Sequence, residues 1–598
     1  MKLSKIYSNK PDLFKQTTFN DGFNIVYGEI RLPENREKDT HNLGKSTLGR
    51  VIDFTLLSRR DKKFFLFKHF DVFSQFIFFL EIKLKDSSYL TIRRDVNNPS
   101  KISFKKHKEK HQDYSLLVPE LWDHSNVPLD RAKELLDSLL GFRVIKPWNY
   151  RNCISYLIRS QDDYIDIFQL RKFRSKDASW KPYLAHILGF DSELIKKHYE
   201  KEAELAEVRT TEKTVKADLG GSIEDISKIE GMLLLKKKEA EKKQELIDMF
   251  DFRKQDKEKT KLLVDEIDEE IAKLNQERYS LIQNRKKILK SLEEDKILFN
   301  PNEAKKLFDE AGILFSGQIK KDFEQLIQFN QAITEERFLY LTEEKLEIDT
   351  KVKEINTNLN ELGKRRSDAL SFLKDINVFT KYKTISKELI SLHADIEYLE
   401  RQKSHLQKLQ ELRAKIRALS EECNNLQSKI EDNVELQNSD QNSIFSQIRL
   451  YFSEIIESVI NRKALLNVSS NSKGHIEFKA EILDESGNGT SAGLGHTYRK
   501  LLCVAFDLAV TRAYIKDKFP HFAFHDGIFE SLDNRKKENL LAILHDYVAL
   551  GIQSIITLID SDLPNRTKND PPIFDNDEIV LLLHDENQDG RLFKIQPW

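Results

Sequence analysis

The 598-residue chain carries 97 Lys and Arg against 98 Asp and Glu, with 33% charged residues and only 13 prolines and 20 glycines, so much of it is expected to be solvated helix rather than packed core. Its three cysteines, Cys153, Cys423 and Cys503, form no CxxC pair, which excludes a disulfide framework or a zinc site readable from spacing. MKLSKIYSNK lacks a signal-peptide apolar stretch, and Lys68, His69 and Asp71 break the aromatic run FFLFKHFDVFSQFIFFL, so a soluble cytoplasmic protein with no membrane partner is expected.

Taken in chain order, residues 1–192 read as half of an α/β domain. FNIVYG (Phe23 to Gly28) is a short apolar strand, Thr47 to Leu57 a helix, and FIFFLEIKL with SSYLTIRR a β-hairpin. Residues 193–295 read as an ascending coiled-coil arm, with Ile267, Ile271, Leu274, Leu281, Ile288 and Leu292 on one seam and Arg278 and Arg285 in its gaps. Gly220-Gly221 would kink or interrupt that arm. The heptads stop near Asn300-Pro301, and 296–335 reads as a tip where the chain reverses. Residues 336–440 read as a descending arm, on the seam Ile348, Val352, Ile355, Leu359 and Leu362, then Leu409, Leu412, Ile416, Leu419, Cys423, Leu426 and Ile430, where Cys423 acts as a small hydrophobe. At the helical rise, arms on the order of 100 residues would extend roughly 100 to 150 Å. Residues 441–598 return to a mixed pattern: an amphipathic helix (Ile444 to Ile460), strands at ALLNVSS, HIEFKAEIL and HFAFHD, and a glycine-rich loop leading into a long helix.

Two motif halves stand at opposite ends of the chain. In HNLGKSTL, a helix N-terminus would present backbone N–H groups to phosphates, so Asn42, Gly44, Lys45, Ser46 and Thr47 are candidate ATP contacts, with Lys45 at the β/γ-phosphates and Ser46 on Mg²⁺. Asp39 stands where the pattern has its first glycine. In FAFHDGIFESLD, Asp526 at a strand end suits the Mg²⁺ shell and Asp533 follows at D-loop spacing. Gly527 occupies the place of a catalytic glutamate, so either Glu530 replaces it or hydrolysis is slow. Gln161 in SYLIRSQDDY has the position of a Q-loop ligand of Mg²⁺. Ser491 and Gly493 of NGTSAGLGHTYRK form a degenerate signature loop before a helix. Leu558 follows Thr557 where a switch histidine would stand, leaving His525 and His584 as substitutes.

In this order the motifs resemble the SMC and Rad-fifty/RecN-like branch of ABC ATPases: a P-loop head assembled from N- and C-terminal halves around an inserted antiparallel coiled coil. KDTHNLGKSTL, SYLIRSQDDY, GLGHTYRKLLCVAFDLA and FHDGIFESLD more narrowly resemble the ATPase of bacterial ABC three-component conflict systems related to Lamassu. The resemblance implies ATP and Mg²⁺ as cofactors, a homodimer closing around two ATP molecules, DNA sensing, and accessory and effector subunits such as a nuclease in antiviral or anti-plasmid defence. A DNA-repair or chromosome-maintenance ATPase of RecN or SMC type is the alternative. The chain lacks the tip CxxC of a Rad-fifty zinc hook.

Overall fold

A computed structural model describes residues 1–32, 34, 42–170, 176–218, 225–249, 257–294, 317–370, 376–490, 495–564 and 573–596. The chain divides into two compact units, Met1–Ala203 with Ser420–Trp598, and Glu204–Leu419. The boundaries fall inside long helices because the first turns of one and the last turns of the other, at Ile195, Ile430 and Val434, bury apolar side chains in the core of the first unit. The mixed unit therefore extends past the expected limits of 192 and 441.

The first unit holds two principal sheets. An antiparallel sheet has the order β2-β1-β4-β5-β6-β7, from strands β1 (Lys2–Ser8), β2 (Thr17–Thr18), β4 (Ile77–Lys83), β5 (Tyr89–Asp95), β6 (Lys101–His107) and β7 (His124–Pro128). The hairpin expected from the sequence is its centre, β4 and β5. A parallel sheet has the order β13-β3-β12-β11-β8, from β3 (Phe23–Glu29), β8 (Ile158–Arg159), β11 (Phe522–Asp526), β12 (Gln553–Ile559) and β13 (Ile579–His584). Every residue of β11 is buried, as a strand covered on both faces requires. A third pairing, β9 (Ala464–Ser470) with β10 (Ile476–Ile482), forms a separate hairpin.

Helix α1 (Lys45–Thr55) touches strands of both large sheets and buries Leu48, Val51, Ile52 and Phe54. Gly49 permits this: a Cβ there would lie 2.6 Å from the Phe524 ring. Short helices α2 (Phe65–Lys68) and α3 (Phe70–Phe73) precede β4; α4 (Leu129–Leu140), α5 (Tyr150–Leu157) and α6 (Lys181–Ile187) follow β7.

The second unit is helical. Its parts are α7 (Ser192–Asp218), which enters from the first unit, α8 (Ile226–Asp248), α9 (Lys257–Glu294), α10 (Gly317–Leu370) and α11 (Ile376–Ser439), which returns to it. Ion pairs Glu230 to Lys403 at 2.7 Å and Lys243 to Glu388 at 2.5 Å make α8 and α11 antiparallel. Asp268 to Arg366 at 2.7 Å and Arg278 to Asn356 at 2.9 Å do the same for α9 and α10.

Helix α9 also lies along α11 in the same direction, through Asp268 with Ser386, Gln276 with Glu397, and Arg401 with Ser280. Since α8 opposes α11 while α9 parallels it, α8 and α9 run in opposite directions. One ascending and one descending arm therefore gives way to a folded-back bundle. Its lock is polar: Arg366 pairs with Asp268, donates to Ser386 and lies 5.8 Å over the Tyr382 ring. Heptad seams record which face of a helix is covered but not which helix covers it. Gly220-Gly221 lies outside the described residues. The tip, 296–335, lies outside the described residues up to 316, and from Gly317 it is helix α10.

The C-terminal half adds α12 (Ile444–Ile460), α13 (His496–Ala513) and α14 (Asn534–Ala549). Ser443 caps α12 by accepting from Ser446 N at 3.1 Å. Gly189, at φ 87, stands against α12, where a Cβ would lie 2.1 Å from Ile444 Cγ2. Gly189→Ala is therefore expected to destabilise the first unit by about 1–3 kcal/mol, through overpacking and left-handed strain, read as a lower urea midpoint at unchanged slope.

Candidate functional site

The carboxyl ends of β3, β11 and β12 carry the candidate site, the end at which open parallel sheets bind ligands. Asn42 (φ 48) and Gly44 (φ 97) turn the chain into α1 through left-handed backbone, and no side chain caps the helix. The first-turn amides of Lys45, Ser46 and Thr47 consequently have no partner within the helix and present an electropositive cradle. Gly28 on β3 leaves room for the lysine stem, since a Cβ there would be 3.3 Å from Lys45 Cδ. Burial lowers the Lys45 pKa from its ordinary value, opposed by Asp562, Asp526, Glu530 and Asp560 around it.

Asp526 is 1% exposed. Its Oδ1 accepts from the Thr557 hydroxyl at 2.5 Å, while Oδ2 has no hydrogen-bond partner among the described residues. A buried carboxylate oxygen left in that state costs on the order of 1–3 kcal/mol or more, and a cation or its water would satisfy it. Beside Lys45 and the uncapped amides, the donor set fits a triphosphate with a hard divalent cation.

Glu530 is brought back into the site by its own loop. Its Oε1 accepts from Gln161 Nε2 at 2.7 Å and its Oε2 from Lys500 Nζ at 2.7 Å. Lys500, on α13, also donates to the Gly527 carbonyl at 2.9 Å. Gly527 sits at φ 65, and a Cβ there would lie 2.7 Å from Glu530 Oε1 and 2.8 Å from Gln161 Nε2. Glycine at 527 is thus what lets Glu530 reach Gln161.

Gln161 opens a 3-10 turn whose position is fixed from below. Arg159, on β8, is wholly buried and forms two bonds to Asp507 of α13, at 2.6 and 2.9 Å, while donating to the carbonyls of Asp163, Asp166 and Ile167. His525 lies 3.2 Å from the same carboxylate. It belongs to this buried network, on the α13 side of β11, and so does not substitute for a switch histidine. His584 packs against the turn at Gly590, where a Cβ would be 2.5 Å from its Nδ1.

Lys45, Asp526, Glu530 and Gln161 are therefore brought together, with Ser46 and Thr47 in the first turn of α1. Asp533 instead caps α14, accepting from Lys536 N at 3.0 Å and pairing with its ammonium at 2.7 Å. Ser491, Gly493 and Asp39 lie outside the described residues. Sequence reading missed Lys500, Asp562, the Arg159–Asp507 pair and the bond from Thr557 to Asp526. Charged residues inside otherwise apolar stretches, Asp507 in LLCVAFDLAV and Arg159 in SYLIRS, were the available signal.

Residues 455–597 match a family model described as an uncharacterised protein conserved in bacteria, DUF2326. Curated proteins give no match. Among solved structures the chain is similar to the Smc head domain with a coiled coil and joint from Pyrococcus yayanosii, at 14% identity and a TM-score of 0.35, over 93% of this chain and 92% of that one. It is also similar to the Smc head domain with an extended coiled coil bound to the C-terminal domain of ScpA from Pyrococcus furiosus, at 13% identity and a TM-score of 0.32, over 94% and 90% of the two chains. At these values no residue assignment passes from those structures to this chain.

Two substitutions probe the geometry. Asp507→Ala strands the buried Arg159 guanidinium and is expected to cost about 3–5 kcal/mol in denaturant unfolding. Thr557→Val removes the hydroxyl that orients Asp526, and is expected to weaken Mg²⁺-ATP binding about tenfold or more by calorimetry, with the fold retained.

Proposed function

We propose that the chain is an SMC-like ATPase that binds ATP and Mg²⁺ at the carboxyl end of its parallel sheet and hydrolyses ATP slowly. The convergence of Lys45 with the unpartnered Asp526 Oδ2 carries this reading. The first-turn amides and Lys45 would hold the phosphates, with Asn42 and Thr47 at their edge. Ser46, Asp526 and Gln161 would hold Mg²⁺, which supplies charge neutralisation at the transferred phosphoryl group. Glu530, aligned by Gln161 and Lys500, is the carboxylate that takes a proton from the attacking water. Its placement by a loop, rather than directly after Asp526, agrees with slow turnover.

Dimerisation would close the Ser491 and Gly493 loop and Asp533 of one head onto the nucleotide of another, so ATP would bridge two copies. The further reading, a cytoplasmic DNA-sensing subunit of an anti-phage or anti-plasmid complex that controls a nuclease effector, rests on the wording of the motifs. Pull-down with neighbour-encoded proteins and a phage or plasmid phenotype on deletion distinguish it from a RecN-type repair role, which predicts sensitivity to DNA damage instead.

Light scattering with ATP-Mg²⁺, paired with phosphate release, tests the site. Wild type should dimerise with ATP, Lys45→Ala should lose both dimer and turnover, and Glu530→Gln should keep the dimer while turnover falls 10²- to 10⁴-fold. Wild-type turnover in Glu530→Gln would remove Glu530 from the chemistry. No nucleotide effect in any of the three would leave a coiled-coil scaffold.

A further inference from the structure

A second cluster of ligand-type side chains lies where α7 leaves the first unit. His198 and Glu202 stand one helical turn apart on α7, and His475 reaches them from the β9–β10 hairpin, so that one ligand atom from each lies within 4.8 Å of the others. His198 is 2% exposed, and the other two are half-buried. None of the three is adjacent to the phosphate site in sequence, and none is used by the chemistry assigned above.

The cluster is held from several directions. His475 follows Gly474, at φ 77, whose missing Cβ would lie 2.8 Å from Gln427 Cγ of α11. Asn471 Oδ1 accepts from the amides of Lys473 and His475 at 3.0 and 3.1 Å and fixes the turn. Tyr199 stacks on the His475 ring, with centroids 4.9 Å apart and planes at 30°, and the His198 ring stands against it at 5.6 Å and 74°. His475 Nε2 is 2.5 Å from Glu202 Oε2. Tetrahedral zinc with ligands at about 2.0–2.1 Å needs ligand atoms about 3.3 Å apart. All three ligand atoms already lie within 4.8 Å of one another, close enough for side-chain adjustment to gather them around one ion.

We infer that His198, Glu202 and His475 form a Zn²⁺ site, with water as the fourth ligand, that fastens the start of α7 to the β9–β10 hairpin. Two imidazoles and one carboxylate suit zinc better than Mg²⁺ or Ca²⁺, which take oxygen ligands. The i, i+4 placement puts two ligands on one helical face, and the third arrives from more than 270 residues later in the chain. That separation is why no motif spacing announces the site. Metal capture here would join the N-terminal and C-terminal halves at a point separate from the nucleotide.

The test uses the untagged full-length chain, stripped with EDTA, dialysed, and titrated with ZnCl₂ in excess MgCl₂ without nucleotide, so that Mg²⁺ competes at the oxygen ligands of Asp526. One Zn²⁺ per chain is expected, with a rise in thermal midpoint, and CoCl₂ should give the visible absorption of a tetrahedral site. His475→Ala and the isosteric Glu202→Gln should each weaken Zn²⁺ binding at least tenfold and abolish the thermal shift, while His393→Ala, at an exposed imidazole, should behave as wild type. Far-UV circular dichroism and the thermal midpoint of the metal-free variants check that the fold survives. Absence of stoichiometric Zn²⁺, or equal binding by wild type, His475→Ala and Glu202→Gln, would overturn the assignment.

Discussion

The buried ion pair between Arg159 and Asp507 is the constraint on which the first unit's site depends. The two residues are 348 apart in sequence, and both side chains are fully excluded from water. Desolvating two charges is repaid only when the geometry is good and the remaining donors are satisfied. Here the guanidinium meets both carboxylate oxygens and three backbone carbonyls. The pair ties β8 and the turn beginning at Gln161 to α13, and α13 in turn carries Lys500. Gln161 and Lys500 are the two groups that grip Glu530, so the position of the carboxylate follows from a contact made on the far side of β11.

This explains why two departures from the expected motif are one feature. A glutamate at position 527 would clash with both Gln161 and Glu530, and the left-handed φ of 65 there disfavours any side chain. Losing the carboxylate at 527 and delivering one from 530 are therefore structurally coupled. A carboxylate placed at 527 would displace Glu530 rather than stand beside it, because the loop conformation that accepts Glu530 depends on the glycine.

Much of the architecture was legible in the sequence. The strand through Asp526 is wholly buried and apolar except for His525 and Asp526, and the helix from Ile444 to Ile460 has a clear polar and apolar face, so periodicity located both. The helix expected from Thr47 to Leu57 is α1, which begins two residues earlier, at Lys45, and ends at Thr55. Helix pairing in the second unit was not legible. Ile267 and Ile288 are buried on their seam as expected, yet the same helix meets α10 on one side and α11 on another. A heptad pattern cannot separate a two-stranded hairpin from a bundle that doubles back, because both bury the same stripe. Glu530 stayed ambiguous for a similar reason: its partner Gln161 is 369 residues away, and only the folded sheet brings them together.

The interleaving of the parallel sheet has a consequence for how the protein is made. Strands β3 and β8 emerge from the ribosome first, but β11 and β12, which lie between them in the sheet, follow only after residue 521. At a synthesis rate of about 5–20 residues per second, β8 would wait about 20–70 s for β11, its neighbour in the sheet. During that interval α9 and α10 can pair through contacts much closer in sequence, which form sooner than distant strand pairings. The helical insert would then be structured before the sheet it interrupts, and a nascent chain stopped before β11 would leave the apolar strand β3 and the Arg159 guanidinium of β8 without the partners that bury them.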